Sequence, residues 1–197
     1  MNLAIGVMGS SSGIPAPDVQ ARLVELGVAV AENGCTFITG ACAGLPYLAV
    51  RGAKSAGGLV VGISPGLSRD EHINKYESPI EGFDVIIFTG SGLMGREVEN
   101  IRSSDIVIIA GGHSGTLGEF AIAYDEGKLI GVLTGTGGVA DAVRELVAIC
   151  DKPTGAVVIY DADPRKLVER LLAYYSTEHY KHPNCFCGST LAGVEDG

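Results

Sequence analysis

Residues 105–119, which run Asp-Ile-Val-Ile-Ile-Ala-Gly-Gly-His-Ser-Gly-Thr-Leu-Gly-Glu, carry the clearest chemical signal in the chain. A β-branched apolar run ends in Gly111, Gly112, His113, Ser114 and Gly115, and a helical pattern begins near Thr116. Glycines let backbone N–H groups turn inward, the Thr116 hydroxyl adds a donor, and the helix start supplies the positive end of its dipole. That combination makes a monophosphate cradle. Glu119 follows one turn into the same helix, which sets its carboxylate about the width of a ribose from the phosphate. The alternative for Glu119 is a first-turn carboxylate that only complements the helix dipole.

Similar clusters trail the other strand-like runs: Gly9-Ser10-Ser11-Ser12-Gly13, Gly40-Ala41-Cys42-Ala43-Gly44, Ser64-Pro65-Gly66, Gly90-Ser91-Gly92 with Gly95, and Gly135-Thr136-Gly137-Gly138. In a parallel sheet all these loops lie along the carboxyl edge, where doubly wound folds bind ligands. Gly9, Ser10, Ser11, Gly40 and Gly44 therefore join Gly111 to Thr116 as candidate nucleotide or phosphate contacts. The competing account is that strand-to-helix turns simply need glycine. Two familiar phosphate motifs are missing. Gly127-Lys128 is followed by Leu129 at a helix end, so it is not a Walker A loop, and Gly6, Gly9 and Gly13 are mis-spaced for a dinucleotide fingerprint.

Two further groups draw attention. Ser68-Arg69-Asp70-Glu71-His72 reads as a lid over the ligand, with Arg69 toward phosphate and His72 titrating near neutrality, or else as an exposed charged loop. Near the C-terminus, His179, His182, Cys185 and Cys187 offer four ligands of the types that suit tetrahedral zinc. Their compact spacing departs from paired C-x-x-C arrangements and equally fits a solvent-exposed tail.

The elements that must position these residues follow from hydropathy. Strand-like runs cover 3–8, 36–39, 59–64, 84–89, 105–110, 129–134 and 157–160, all reading as buried on both faces. Helical patterns lie at 19–33, 45–56, 115–126, 139–149 and 164–175, the first with Val19, Leu23, Leu26 and Val30 on one face. The pattern predicts one doubly wound Rossmann-like α/β domain over 1–176, its mostly parallel sheet covered by helices on both faces, and a C-terminal tail at 177–197.

Composition bounds the rest. With 46% hydrophobic and 19% charged residues among 197, the chain is far from the disordered class, and its 29 glycines are roughly twice average usage. A net charge of −9 and a pI near 4.8 argue against a nucleic-acid partner, because a polyanion gains nothing from counterion release here. No apolar run approaches a membrane span and no basic-flanked leader opens the chain, which predicts a cytoplasmic protein. Five cysteines, an odd number, argue against a disulfide framework.

Gly111-Gly112 followed by Gly115-Thr116-x-x-Glu119 resembles the P-G-G-x-G-T-x-x-E signature of LONELY GUY (LOG) proteins and their Rossmann-like relatives, including molybdenum-cofactor carrier proteins. The resemblance runs from the first strand to about Leu133 and takes in Arg96, which stands where that family has its catalytic arginine. Three positions depart from the pattern: Ala110 replaces proline, Ser114 is an extra loop residue, and Glu97 follows Arg96 where LOG enzymes usually carry lysine. The resemblance implies hydrolysis of the N-glycosidic bond of a nucleoside 5′-monophosphate, without a cofactor, by Arg96 and Glu119. Glu119 then offsets oxocarbenium charge and orients water, while Arg96 binds substrate and lowers the pKa of Glu119. The alternative for Arg96 is a surface contact with Glu99 or Asn100. At the level of function, the alternative is a non-catalytic carrier of a phosphorylated cofactor such as the molybdenum cofactor. A third reading, single-stranded DNA binding as in related DNA-processing proteins, is opposed by the acidic charge. The resemblance also implies a homo-oligomer, which a mean hydropathy of +0.29 supports.

Overall fold

Strands and helices alternate along the chain without interruption: β1 (Ala4–Gly9), α1 (Pro17–Glu32), β2 (Thr36–Thr39), α2 (Leu45–Ser55), β3 (Val60–Ser64), α3 (Arg69–Asn74), β4 (Val85–Phe88), α4 (Gly92–Arg102), β5 (Ile106–Ala110), α5 (Ser114–Asp125), β6 (Leu129–Leu133), α6 (Gly138–Cys150), β7 (Val157–Asp161) and α7 (Pro164–Thr177). The computed structural model describes residues 2–13 and 15–178. His179, His182, Cys185 and Cys187 lie outside the described residues. Strand order is β4-β3-β2-β1-β5-β6-β7, and every neighbouring pair is parallel.

Alternating side chains of the central strands build two apolar layers. Ile5, Val7, Ile106 and Ile108 pack with α1, α2 and α7 on one face, and Met8, Val107 and Ile109 pack with α4, α5 and α6 on the other. Both layers are closed to water, each fully buried Ile or Leu contributing about 1.5–3 kcal/mol. The predicted stripe of α1, Val19, Leu23, Leu26 and Val30, is buried as its spacing requires.

The chain builds outward from β1 to β4 and then returns to lay β5 beside β1. Loops after β1 and β5 consequently diverge to opposite faces, leaving a crevice at the carboxyl edge between them. This topology sets the loops at 10–13 and 111–113 on either side of that crevice.

Three local expectations need correction. β4 is not buried on both faces, because it forms the sheet edge; Val85, Ile87 and Phe88 are exposed. The segment Ser68 to His72 is not a loop but the start of a helix, since Ser68 caps α3 by accepting the Glu71 N–H at 3.3 Å. His72 points inward, fully buried, with Nδ1 2.8 Å from Ser64 Oγ and Nε2 2.9 Å from the Pro79 carbonyl, so it ties the segment to β3. Finally, hydropathy gave no helix at 92–102, where α4 lies. Its buried face is Arg96, Glu97, Asn100 and Ile101, a polar stripe that apolar periodicity does not detect.

Candidate functional site

The crevice at the carboxyl edge opens into a cavity of about 120 Å³ bordered by β1, β2, the loops that follow β1, β2 and β5, and the N-terminal parts of α2, α4 and α5. Its floor is the end of β1, Val7 to Gly9. Ser10 and Ser11 form one wall, Thr39, Gly40, Cys42 and Ala43 a second, and His113, Gly115 and Thr116 a third. Arg96, Glu97 and Glu119 enter from the helices.

Of the residues singled out in the sequence, Gly9, Ser10, Ser11, Gly40, His113, Gly115, Thr116, Arg96 and Glu119 border this cavity. His113 Nδ1 lies 3.1 Å from Ser10 Oγ, which joins the loops after β1 and β5 across the crevice. Gly44, Gly111, Gly112 and Ser114 do not border it, and three of them have visible work elsewhere. The Gly111 N–H is spent on Thr136 Oγ at 2.8 Å, and the carbonyls of Gly111 and Gly112 accept from Ala140 and Val139 at 2.9 and 3.0 Å, anchoring the loop to α6. Gly44 sits at φ 90° where the β1 loop passes close by, with the next residue, Leu45, donating to Ser10 at 2.8 Å.

Gly112 has φ 106°, and a side chain there would overlap that of Thr116. Gly112→Val is accordingly expected to cost about 1–3 kcal/mol in backbone strain and to displace Thr116 from the loop. Thermal unfolding with and without a nucleoside 5′-monophosphate checks this: the stabilisation by ligand should shrink along with the melting temperature.

Arg96 and Glu119 meet inside the protein. Arg96 Nη1 is 3.7 Å from Glu119 Oε1, and both side chains are about nine-tenths buried. Neither Glu99 nor Asn100 pairs with Arg96; Glu99 accepts from Ser91 Oγ at 2.8 Å instead, which removes the surface-contact alternative. Asn100, fully buried, donates to Glu119 Oε1 at 3.3 Å and to Met8 Sδ at 3.0 Å, fixing the carboxylate from behind. Arg96 also reaches Cys42 Sγ at 3.8 Å, and among the described residues its Nε has no hydrogen-bond partner.

The expected electrostatics come out with the opposite sign. Burial pushes the Glu119 carboxyl up to about 7, and Glu97 nearby pushes the same way, whereas Arg96 and Asn100 pull it down without prevailing. Desolvation wins because Glu119 is almost wholly withdrawn from water, while Arg96 comes no nearer than 3.7 Å. Burial also raises the Glu97 carboxyl, again against the pull of Arg96.

Sequence reasoning passed over Thr39, Cys42, Ala43, Pro46 and Leu93 among the bordering residues, and Asn100 behind Glu119. It quoted Glu97 only as a departure from a family pattern. A signal did exist on α4: Arg96, Glu97 and Asn100 fall at i, i+1 and i+4, one face of a helix. Among the described residues, no group of three or more His, Cys, Asp or Glu side chains gathers as a metal site.

Residues 2–168 match the SLOG cluster4 family. The chain is 35% identical over 131 residues to an uncharacterized protein of Archaeoglobus fulgidus, covering 66% of this chain and 80% of that one. Among solved structures, it is similar to the molybdenum cofactor binding protein of Rippkaea orientalis at 28% identity and a TM-score of 0.73, with 88% of this chain and 97% of the other covered. It is also similar to the molybdenum cofactor carrier protein of Chlamydomonas reinhardtii, at 29% identity, a TM-score of 0.70, and coverage of 87% and 99%.

Proposed function

The chain belongs to the SLOG cluster4 family, and from that premise we propose that its carboxyl-edge cavity binds a phosphorylated small molecule of the nucleotide or phosphoribosyl class. The observation that carries this reading is the N-terminus of α5. Its first residues border the cavity at Gly115 and Thr116, its N-cap His113 leaves the first-turn N–H groups without a side-chain cap, and Glu119 and Arg96 stand one turn further in. An anion is the natural occupant of such a helix start.

Two activities suit the site. In the first, the protein hydrolyses the N-glycosidic bond of a nucleoside 5′-monophosphate, releasing free base and ribose 5-phosphate. Arg96 holds the substrate, and the Glu119 carboxylate offsets charge on the ribose as the base departs and orients the attacking water. A carboxyl titrating near 7 is poised for proton transfer at neutral pH. The second activity is non-catalytic carriage of a phosphorylated cofactor such as the molybdenum cofactor, favoured by the similarity to two proteins described as binding or carrying it. A panel of nucleoside 5′-monophosphates, assayed for free base and for a rise in melting temperature, divides the two. Release of base selects the hydrolase, stabilisation without release selects the carrier, and the absence of both responses overturns the phosphate-binding reading.

The reading extends to context. Cys35, Cys42 and Cys150 are free, among the described residues no helix is long and apolar enough to cross a membrane, and the net charge is −9; these support a cytoplasmic protein without a nucleic-acid partner. A homo-oligomer is part of it as well. Val85, Ile87 and Phe88 on β4, Leu67 in the loop before α3, and Leu93 and Met94 at the start of α4 are all exposed, apolar surface that a second copy of the chain would cover. Light scattering at micromolar concentration should return the mass of a dimer or larger assembly, and Ile87→Lys should lower it. A monomeric wild type removes the claim.

A further inference from the structure

Glu97 is the charged group of the cavity that neither activity uses. It is 5% exposed, it borders the cavity, and among the described residues its carboxylate accepts no hydrogen bond. Its neighbour Arg96 lies opposite Glu119, with Nη2 toward Cys42 and, among the described residues, Nε without a partner. Burial therefore leaves Glu97 little water apart from the cavity and returns no donor from the protein, an arrangement that a ligand able to supply one would relieve.

The chemistry of that ligand group can be narrowed. A phosphate is excluded at Glu97 by like charge. A metal ion would meet the Arg96 guanidinium and only two carboxyls, and no group of three metal-binding side chains gathers among the described residues. Neutral donors remain, and position chooses among them. A Cβ added to Gly115 would lie 3.2 Å from Glu97 Oε1, and one added to Gly118 would lie 2.7 Å from Oε2. The carboxylate thus lies flat against the first turn of α5, in a recess that exists because two residues three apart lack side chains. One helical turn is about 5 Å, the breadth of a sugar ring and less than the distance to a base beyond it.

We infer that Glu97 is a specificity-determining residue that accepts hydrogen bonds from the vicinal hydroxyls of a furanose whose 5-phosphate rests on the start of α5, and so selects ribose over 2-deoxyribose. Two carboxylate oxygens match two adjacent hydroxyls, and hydroxyl donors need no compensating charge. The inference rests on the phosphate-binding reading above.

Calorimetric titration with inorganic phosphate, ribose 5-phosphate and 2-deoxyribose 5-phosphate tests it in the wild type, Glu97→Gln and Glu97→Ala. The wild type should bind ribose 5-phosphate roughly 10- to 100-fold more tightly than the deoxy sugar, the range for hydrogen bonds to a charged group. Glu97→Gln should narrow that ratio and Glu97→Ala should bring it close to one, while inorganic phosphate, relieved of a neighbouring negative charge, should bind both variants at least as tightly as the wild type. Equal binding of the two sugars by the wild type, or selectivity that survives Glu97→Ala, overturns the inference and leaves the phosphate site standing. If the wild type binds none of the three compounds, the phosphate site falls and the inference falls with it.

Discussion

Gly40→Ala is expected to weaken binding of a nucleoside 5′-monophosphate by roughly 10- to 100-fold while leaving the fold intact. The position has no unusual backbone conformation, so the effect is steric. A methyl group on Gly40 would overlap the Arg96 guanidinium, the far end of a flexible side chain. The guanidinium must therefore swing away, and the backbone need not. Arg96 then loses its position 3.7 Å from Glu119 and, with it, the placement for a bound anion. One methyl group thus tests whether the arginine in this pose matters to binding. Calorimetry measures the affinity, and far-UV circular dichroism confirms the fold. Wild-type affinity in Gly40→Ala would mean that the ligand does not depend on the arginine pose described above.

That dependence on Gly40 was only half legible in the sequence. The cluster from Gly40 to Gly44 could be assigned to the carboxyl edge because it follows a strand. That it is Gly40 which makes room for Arg96, 56 positions away, depends on α4 folding back over β3 toward the loop that follows β2. The elements buried by apolar side chains were legible for the same reason they are stable. β1, β5 and β6 bury Val, Ile and Leu on both faces, and α1 and α7 bury regular stripes. α4 was not, because the face it turns inward is chemically the site itself: Arg96, Glu97 and Asn100 look like surface residues until the topology sets them against β1 and α5.

Electrostatics were the least legible part. Proximity of Arg96 and Glu119 was expected, and from proximity alone the carboxyl should titrate low. Whether attraction or desolvation prevails depends on how much water the fold removes, and the fold leaves Glu119 6% exposed with a second buried carboxyl beside it. No spacing rule carries that information. Glu97 shows this most clearly. It appeared as a substitution in a family pattern, and it became a candidate ligand group only once its oxygens were seen against Gly115 and Gly118.

Glu119→Gln is expected to separate hydrolysis from carriage and to report the buried carboxyl independently of either. Gln keeps the size and the hydrogen bond to Asn100 but carries no charge. A hydrolase should lose turnover by roughly 100-fold or more, with KM changed much less, because the lost interaction matters most as positive charge builds on the ribose. Base release by the wild type should rise through pH about 7 as Glu119 ionises. Arg96→Ala should instead lower affinity and rate together, since Arg96 acts in both states. A carrier shows no turnover at all, and Arg96→Ala costs it more affinity than Glu119→Gln does. Stability gives the second readout. In the unfolded chain the carboxyl titrates near 4.5 and in the folded protein near 7, so between those values the folded state holds the extra proton. Raising the pH through this window therefore costs the wild type stability, a loss that a neutral glutamine escapes. The melting temperature of Glu119→Gln relative to wild type should accordingly be higher at pH 8 than at pH 5. A difference that stays flat across that range would mean that Arg96 does hold Glu119 ionised, and that its attraction outweighs burial after all.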